Sequence, residues 1–306
     1  MGLGVFLISI AVTIFSIWLF VKVRFLTIIP FAIIAAIPLA SSNISGLLSL
    51  CIIPISAGIA GGICFKKGKD FTFFLNISLV VFVTLFTVEY HSLRLFKGDD
   101  IIDNGAKQIL EMMEKSKSEL SDIVNERKIS ENEMKKIQEQ LDLSISVLKD
   151  KKWIQLARDM IPFSVFLYGI IIFGFSFLIL KKFILREAGR NVRGLEFYKL
   201  NDYLIFIFIF SWAAFILSNS EEFPLFAIVI LNVALILSGL YIVQAIGVIK
   251  SFVIKKGIPP IVIPIILVTL FTFGLGTIIF TTTFLLGIGT LDIWADFRKL
   301  NPSEIS

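Results

Sequence analysis

The stretch that decides the fold is PLFAIVILNVALILSGLYIVQAIGVI, Pro224 to Ile249, a run without a single charged residue. About 20 predominantly apolar residues cross a bilayer as a helix, so this run is long enough to span one. Its flanks differ in charge: Glu221 and Glu222 precede it, and Lys250, Lys255 and Lys256 follow. Among the polar side chains within it are Asn232, Tyr241 and Gln244.

Outward from this run the chain repeats the pattern. Apolar runs near 3–21, 24–40, 44–65 and 71–93 form one block, and runs near 161–180, 201–219, 224–249 and 259–289 form another. The second, with Pro30 and Pro38, is short and kinked or only partly inserted. The first lacks the basic leader and small-residue cleavage site of a secretory signal, and reads as a retained membrane helix. The last run is too long for one span; Pro259, Pro260 and Pro264 crowd its start, and Gly274 and Gly276 interrupt it. It is either one broken helix or two short elements, and that choice decides the side of the C-terminus. Across all 306 residues, 56% are hydrophobic, 31 are phenylalanine and 17% are charged. Soluble domains hold about 45–50% apolar and about 25% charged residues, so composition alone makes this an integral membrane protein.

Residues 97–159 are of another kind, with 12 Lys or Arg and 14 Asp or Glu among 63 positions. Apolar residues still recur there at helical spacing: Ile102, Ile109, Met113, Leu120 and Val124, then Met134, Ile137, Leu141, Ile145 and Leu148. Ser130 and Glu133 form an S-x-x-E capping box. The segment therefore divides into two helices, near 100–128 and 131–158, whose stripes face one another as a coiled-coil-like hairpin or else face a partner or the lipid surface. The expected fold is an all-α polytopic bundle of about eight spans. Its parts are a membrane block at 1–96, the charged insert at 97–159 and a second membrane block at 160–306.

Basic residues in short loops mark the cytoplasmic side. They gather after the first, third, fifth and seventh runs: Lys22 and Arg24; Lys66, Lys67 and Lys69; Lys181 through Lys199; Lys250, Lys255 and Lys256. With eight spans these four connections share one side of a bacterial inner membrane, and the insert and both termini lie outside. The exception arises if the last run crosses twice, which returns Arg298 and Lys299 to the basic side. In a membrane protein such charge is an orientation signal, so the net +5 implies no nucleic-acid partner.

Little in the sequence supports catalysis. Ionisable groups are nearly absent from mid-span; Glu89, His91 and Arg94 sit at the exit of the fourth run and Asp202 at the entry of the sixth. Pumps, secondary transporters and intramembrane proteases usually need such groups at depth. Glu89 and His91, two apart, point differently on a helix and read as interfacial. There is one histidine, Cys51 and Cys64 read as small buried hydrophobes, and neither a metal site nor a cofactor is expected. Nucleophile, hydride and phosphate motifs are missing, so the chain reads as a non-enzyme.

Polar residues inside the spans need partners. Asn232, Tyr241 and Gln244, with Asn76 early in the fourth run, either join helices by hydrogen bonds or line a ligand site. Ala32, Ala36 and Ala40, and Ala57 with Gly61, recur every four positions and suit close helix packing. After the last run, Asp292 and Asp296 share a face if the helix continues, and Arg298 either neutralises one of them or anchors the end beside Trp294.

Four stretches carry a resemblance: Met160-Ile161-Pro162; Glu196 to Asp202 (EFYKLND); Gly239 to Gly247 (GLYIVQAIG); and Leu286 to Lys299 (LGIGTLDIWADFRK). In this order and spacing they resemble the YybS-like family of bacterial multipass membrane proteins. Asn201 stands where the family often has proline, and Ala245 where it often has glycine. The resemblance implies a layout similar to the substrate-binding membrane subunits of energy-coupling-factor transporters, compact bundles that bind a small molecule and depend on a separate motor. It implies no reaction.

Two functions follow as expectations. The first is a noncatalytic membrane subunit that binds a small molecule or lipid near Asn232, Tyr241 and Gln244, with Asp202, Asp292, Trp294, Asp296 and Arg298 as interfacial or structural residues. The second is a scaffold in which residues 100–158 pair with another protomer or a membrane partner.

Overall fold

The structure, a computed structural model, describes residues 7, 10–18, 56–58, 60, 61, 63, 67, 69–97, 101–127, 131–182, 193–218, 224–272 and 274–298. The expected span at 24–40, most of that at 44–65, both cysteines, Ser130 of the capping box and the Ala32–Ala40 face lie outside these residues. Every regular element among them is helical. The chain divides into two compact units, Thr87–Pro162 and the remainder, Met1–Phe86 with Phe163–Ser306.

Four described helices are long and apolar enough to cross a membrane: Phe71–Ser92, Ile161–Leu180, Pro224–Lys255 and Gly276–Ala295. A fifth, Leu204–Leu217, is equally apolar but shorter, at about 21 Å. The spine of the larger unit is the Pro224–Lys255 helix. It packs most extensively on Leu275–Ala295, then on Leu204–Leu217 and on a 3-10 turn at Leu195–Phe197. Its 32 residues make about 48 Å of helix, more than the roughly 30 Å hydrocarbon layer, so its lysine-bearing end emerges.

Contacts fix the direction of each pass. Gly289 meets Tyr241, Asp292 meets Gln244, and the Arg298 carbonyl accepts from Lys255, so numbering rises together and Leu275–Ala295 runs parallel to Pro224–Lys255. Parallel neighbours need a crossover between them. Residues 256–274 supply it, through the 11-residue helix Val262–Thr272 and a break at Gly274, whose φ of 101° lies in the region open to glycine. The expected run 259–289 is therefore two helices, and Arg298 returns to the end that carries Lys255.

The Phe71–Lys97 and Ile161–Leu180 helices meet antiparallel through aromatic rings. Phe71 lies 4.6 Å from Phe177, Phe74 6.3 Å from Phe173, and Phe82 5.7 Å from Phe173 by ring centroids. In the N-terminal part Ala57 and Gly61 are buried, and Gly61 sits against residues 10–18: a Cβ on it would lie 2.8 Å from Ile17 Cγ1. That is the close approach which small residues at fourfold spacing allow.

In the smaller unit Ile101–Arg127 lies beside Glu131–Lys149 and Lys151–Asp159. Lys117 pairs with Asp142, Glu114 with Lys149 at 2.9 Å, and Asp103 with Arg158 at 2.6 Å, so numbers rise on one side as they fall on the other. The single helix expected at 131–158 is interrupted. Asp150 adopts an extended conformation and its side chain accepts from Lys152 N at 2.9 Å, which stops one helix and caps the next. Ile145 is buried while Ile109 and Met112 remain exposed.

Candidate functional site

Polar side chains of the larger unit gather where the Pro224–Lys255 and Leu275–Ala295 helices approach the 193–202 connection. Gln244, fully buried, has its carbonyl oxygen and both N–H groups engaged by protein. Its Oε1 accepts from Leu200 N at 2.9 Å, and its Nε2 donates to Gly289 O and Asp292 Oδ2, both at 3.1 Å. The Arg298 guanidinium closes on the same carboxylate oxygen at 2.5 Å and donates to the carbonyls of Tyr198 at 2.7 Å and Glu196 at 3.2 Å. Asp292 and Arg298 are only 1% and 2% exposed, a charge pair inside the bundle. Asp292 Oδ1 and Arg298 Nε are buried with no hydrogen-bond partner among the described residues.

Glycines make this convergence possible. A Cβ at Gly289 would run into the Tyr241 carbonyl, and one at Gly247 into the Leu195 carbonyl. Backbone therefore touches backbone at both places. The Glu196 carboxylate sits at the margin of the cluster, 2.6 Å from Lys250 Nζ and 3.5 Å from Lys181 Nζ. Burial works to raise its pKa, but the hydrogen bond from Lys250 and the charges of Lys250 and Lys181 outweigh it and leave the carboxyl below its ordinary value.

Beside the cluster lies a groove of about 400 Å³, lined by Asn76, Val80, Phe166, Leu200, Leu204 and Leu240 among others. Its walls are almost wholly apolar. Asn76 and Thr84 are the polar members, and Asn76 Oδ1 accepts from the Tyr198 hydroxyl at 3.0 Å. That hydrogen bond sets the amide with its oxygen toward Tyr198. The Asn76 NH₂ is then the free end, with no partner among the described residues.

The expected site residues fall in different places. Gln244, Asp292 and Arg298 come together in the cluster. Asn232 is elsewhere: its Oδ1 accepts from Phe163 N at 3.2 Å, capping a helix start where Pro162 has no N–H to offer, and its Nδ2 donates to Ile228 O. The Tyr241 ring packs 5.3 Å from Phe208, and its hydroxyl is buried without a hydrogen-bond partner among the described residues. Asp202 is exposed and 3.6 Å from Lys199, and Trp294 is exposed at the end of its helix. Asp292 and Asp296 do not share a helical face. The helix ends at Ala295 and Asp296 turns left-handed with φ 38°, so one carboxylate goes inward and the other to the surface. His91 is exposed and Glu89 half-buried. Glu196, Tyr198 and Lys250 are members that sequence reasoning passed over; the signal was a tyrosine and a glutamate within the EFYKLND stretch. No cluster of three or more potential metal ligands occurs among the described residues.

Membrane-length apolar helices packed around a buried polar cluster define a polytopic, all-α membrane protein. The chain belongs to the family described as predicted membrane protein (DUF2232), whose model matches residues 2–293 and which is the YybS-like family of the sequence resemblance. No curated protein and no solved structure matches it.

Proposed function

We propose that this protein is a noncatalytic membrane subunit that holds a small molecule or lipid in the groove between the Phe71–Lys97, Ile161–Leu180, Leu204–Leu217 and Pro224–Lys255 helices. The groove itself carries the reading. Its volume lies in the range of about 300–1,000 Å³ usual for ligand sites, and its lining joins apolar walls to one free amide. The groove takes the ligand role in place of Asn232 and Gln244, whose amides hydrogen-bond to protein. None of its lining residues can serve as an acid or base, which supports a binding rather than a catalytic role. The analogy to energy-coupling-factor binding subunits stays an analogy of layout.

In this proposal the end bearing Lys181, Lys250 and Lys255 faces the cytoplasm, as the excess of basic residues in the short connections favours. Residues 97–159 are then an extramembrane helical hairpin on the outer side. The test is to purify wild type and Leu240→Trp in mild detergent and identify what each retains by mass spectrometry. A compound held by wild type and lost from the equally folded variant supports the reading; identical contents in both sink it.

A second reading, a scaffold acting through that hairpin, draws on the apolar residues Met112, Leu143 and Trp153 that its helices leave exposed. Deletion of 100–158 separates the two: ligand retention survives under the first, and a co-purifying partner is lost under the second.

A further inference from the structure

We infer that the occupant of the groove is one acyl chain of a membrane glycerophospholipid, with an ester carbonyl accepting a hydrogen bond from Asn76 Nδ2. The inference rests on the groove being the ligand site and names the chemistry it takes.

The direction of the opening comes first. Val80 and Thr84, both on the groove, are exposed on a membrane-length helix. They lie about 14 and 20 Å along that helix from Phe71, at mid-depth of a hydrocarbon layer roughly 30 Å thick. The groove therefore opens sideways into acyl chains, which reach it without crossing water. A water-soluble ligand has no such path through that opening.

Polarity along the groove comes second. Asn76 lies about 8 Å from Phe71, nearer the membrane surface than Val80. An amide donor left unmade in hydrocarbon is costly, and among the described residues only the oxygen of that amide has a partner. The free NH₂ calls for an acceptor attached to an apolar chain, near the surface end. A glycerolipid ester carbonyl is an acceptor only, and it stands where the chain begins.

Charge comes third. The connections and helix ends at this end hold Lys69, Lys181, Lys182, Arg193, Lys199 and Lys250 against Asp70, Glu196 and Asp202. They are tied together by Phe71 N on Arg193 O and by the two lysines on Glu196. An excess of positive charge above the free amide suits a phosphate headgroup over its own chains.

The experiment uses the full chain in detergent and native mass spectrometry. The probes are dioleoyl-phosphatidylglycerol and its diether analogue, which has the same chains and headgroup but no ester carbonyls. Wild type is expected to retain the ester lipid about tenfold better, the worth of one buried hydrogen bond. Asn76→Leu should bind both equally, and Leu240→Trp should bind neither. Equal binding of the two lipids by wild type overturns the carbonyl contact, and needs no variant to show it. Retention of a soluble compound or an isoprenoid instead, displaced by Leu240→Trp, overturns the phospholipid while leaving the groove as a ligand site. If Leu240→Trp changes the retention of nothing, the ligand site itself is lost. Should Asn76→Leu not fold, Tyr198→Phe frees the amide to turn and is expected to weaken the preference for the ester.

Discussion

Arg298 and Asp292 are opposite charges held in a site almost closed to water, and their pairing is shared with Gln244 and with two backbone carbonyls. Removing one partner leaves a buried charge uncompensated, which typically costs about 3–5 kcal/mol. Arg298→Met is expected to lower the melting temperature in detergent sharply, and pairing it with Asp292→Leu should restore part of the loss. No recovery in the double variant would mean that Arg298 acts through its carbonyl contacts alone. Glu196 makes a separate prediction. Its folded pKa lies below the ordinary carboxylate value of 4.5, so the stability it contributes is present above that value and lost as pH falls through the folded pKa. Melting followed from pH 7 down to pH 4 and below should show wild type losing more than Glu196→Gln. At this scale the sequence showed that Arg298 had two aspartates within reach. It did not show which, because a single left-handed residue, Asp296, ends the helix and sends the second carboxylate outward.

Among the elements, membrane-length helices were legible from hydrophobic length, since the bilayer imposes it on every pass. Their interruptions were less so. The glycine at 274 and the prolines before it announced a discontinuity without saying that the chain turns back there, and the stop at Asp150 depends on a cap that competes with an otherwise helical pattern. Close approach between elements was hidden as well, because a glycine in an apolar run looks alike whether it faces lipid or a neighbour. Two glycines on one helix separate the cases. A Cβ at Gly289 meets the Tyr241 carbonyl, whereas one at Gly287 meets nothing within 4 Å. Gly289→Ala should destabilise by about 1–3 kcal/mol, as overpacking does. Gly287→Ala should be neutral or slightly stabilising, since alanine favours helix over glycine by roughly 0.5–1 kcal/mol. Melting of the two variants side by side checks this; equal behaviour would contradict the contact.

For the molecule as a whole, the parallel course of Pro224–Lys255 and Leu275–Ala295 settles how the last helices connect. Two parallel neighbours require a return pass, and residues 256–274 make it, so Arg298 ends beside Lys255. Topology reporters are expected to agree: one after Lys299 should report the same side as one inserted after Lys256, and one after Leu148 the opposite side. A C-terminal reporter on the side opposite Lys256 would contradict the crossover. A cytoplasmic signal at Leu148 would overturn the proposed orientation of the insert. The candidate site was only partly visible beforehand. Asn76 was noted among polar residues needing partners, but a groove belongs to four helices at once and to no one of them.

By itself the sequence determined that this is an α-helical membrane protein with a charged helical segment at 97–159, because burial of apolar surface and helical periodicity act locally and are written in composition and spacing. The tertiary structure alone decided which polar residues hold the bundle and which amide is left over. Gln244 and Asn76 are chemically alike in the sequence; among the described residues one meets a backbone donor, a carbonyl and a carboxylate across its interface, and the other meets a tyrosine and an open groove. The difference lies in what packs opposite each of them, at separations of 44 and 122 residues along the chain, and local pattern carries no information over such distances.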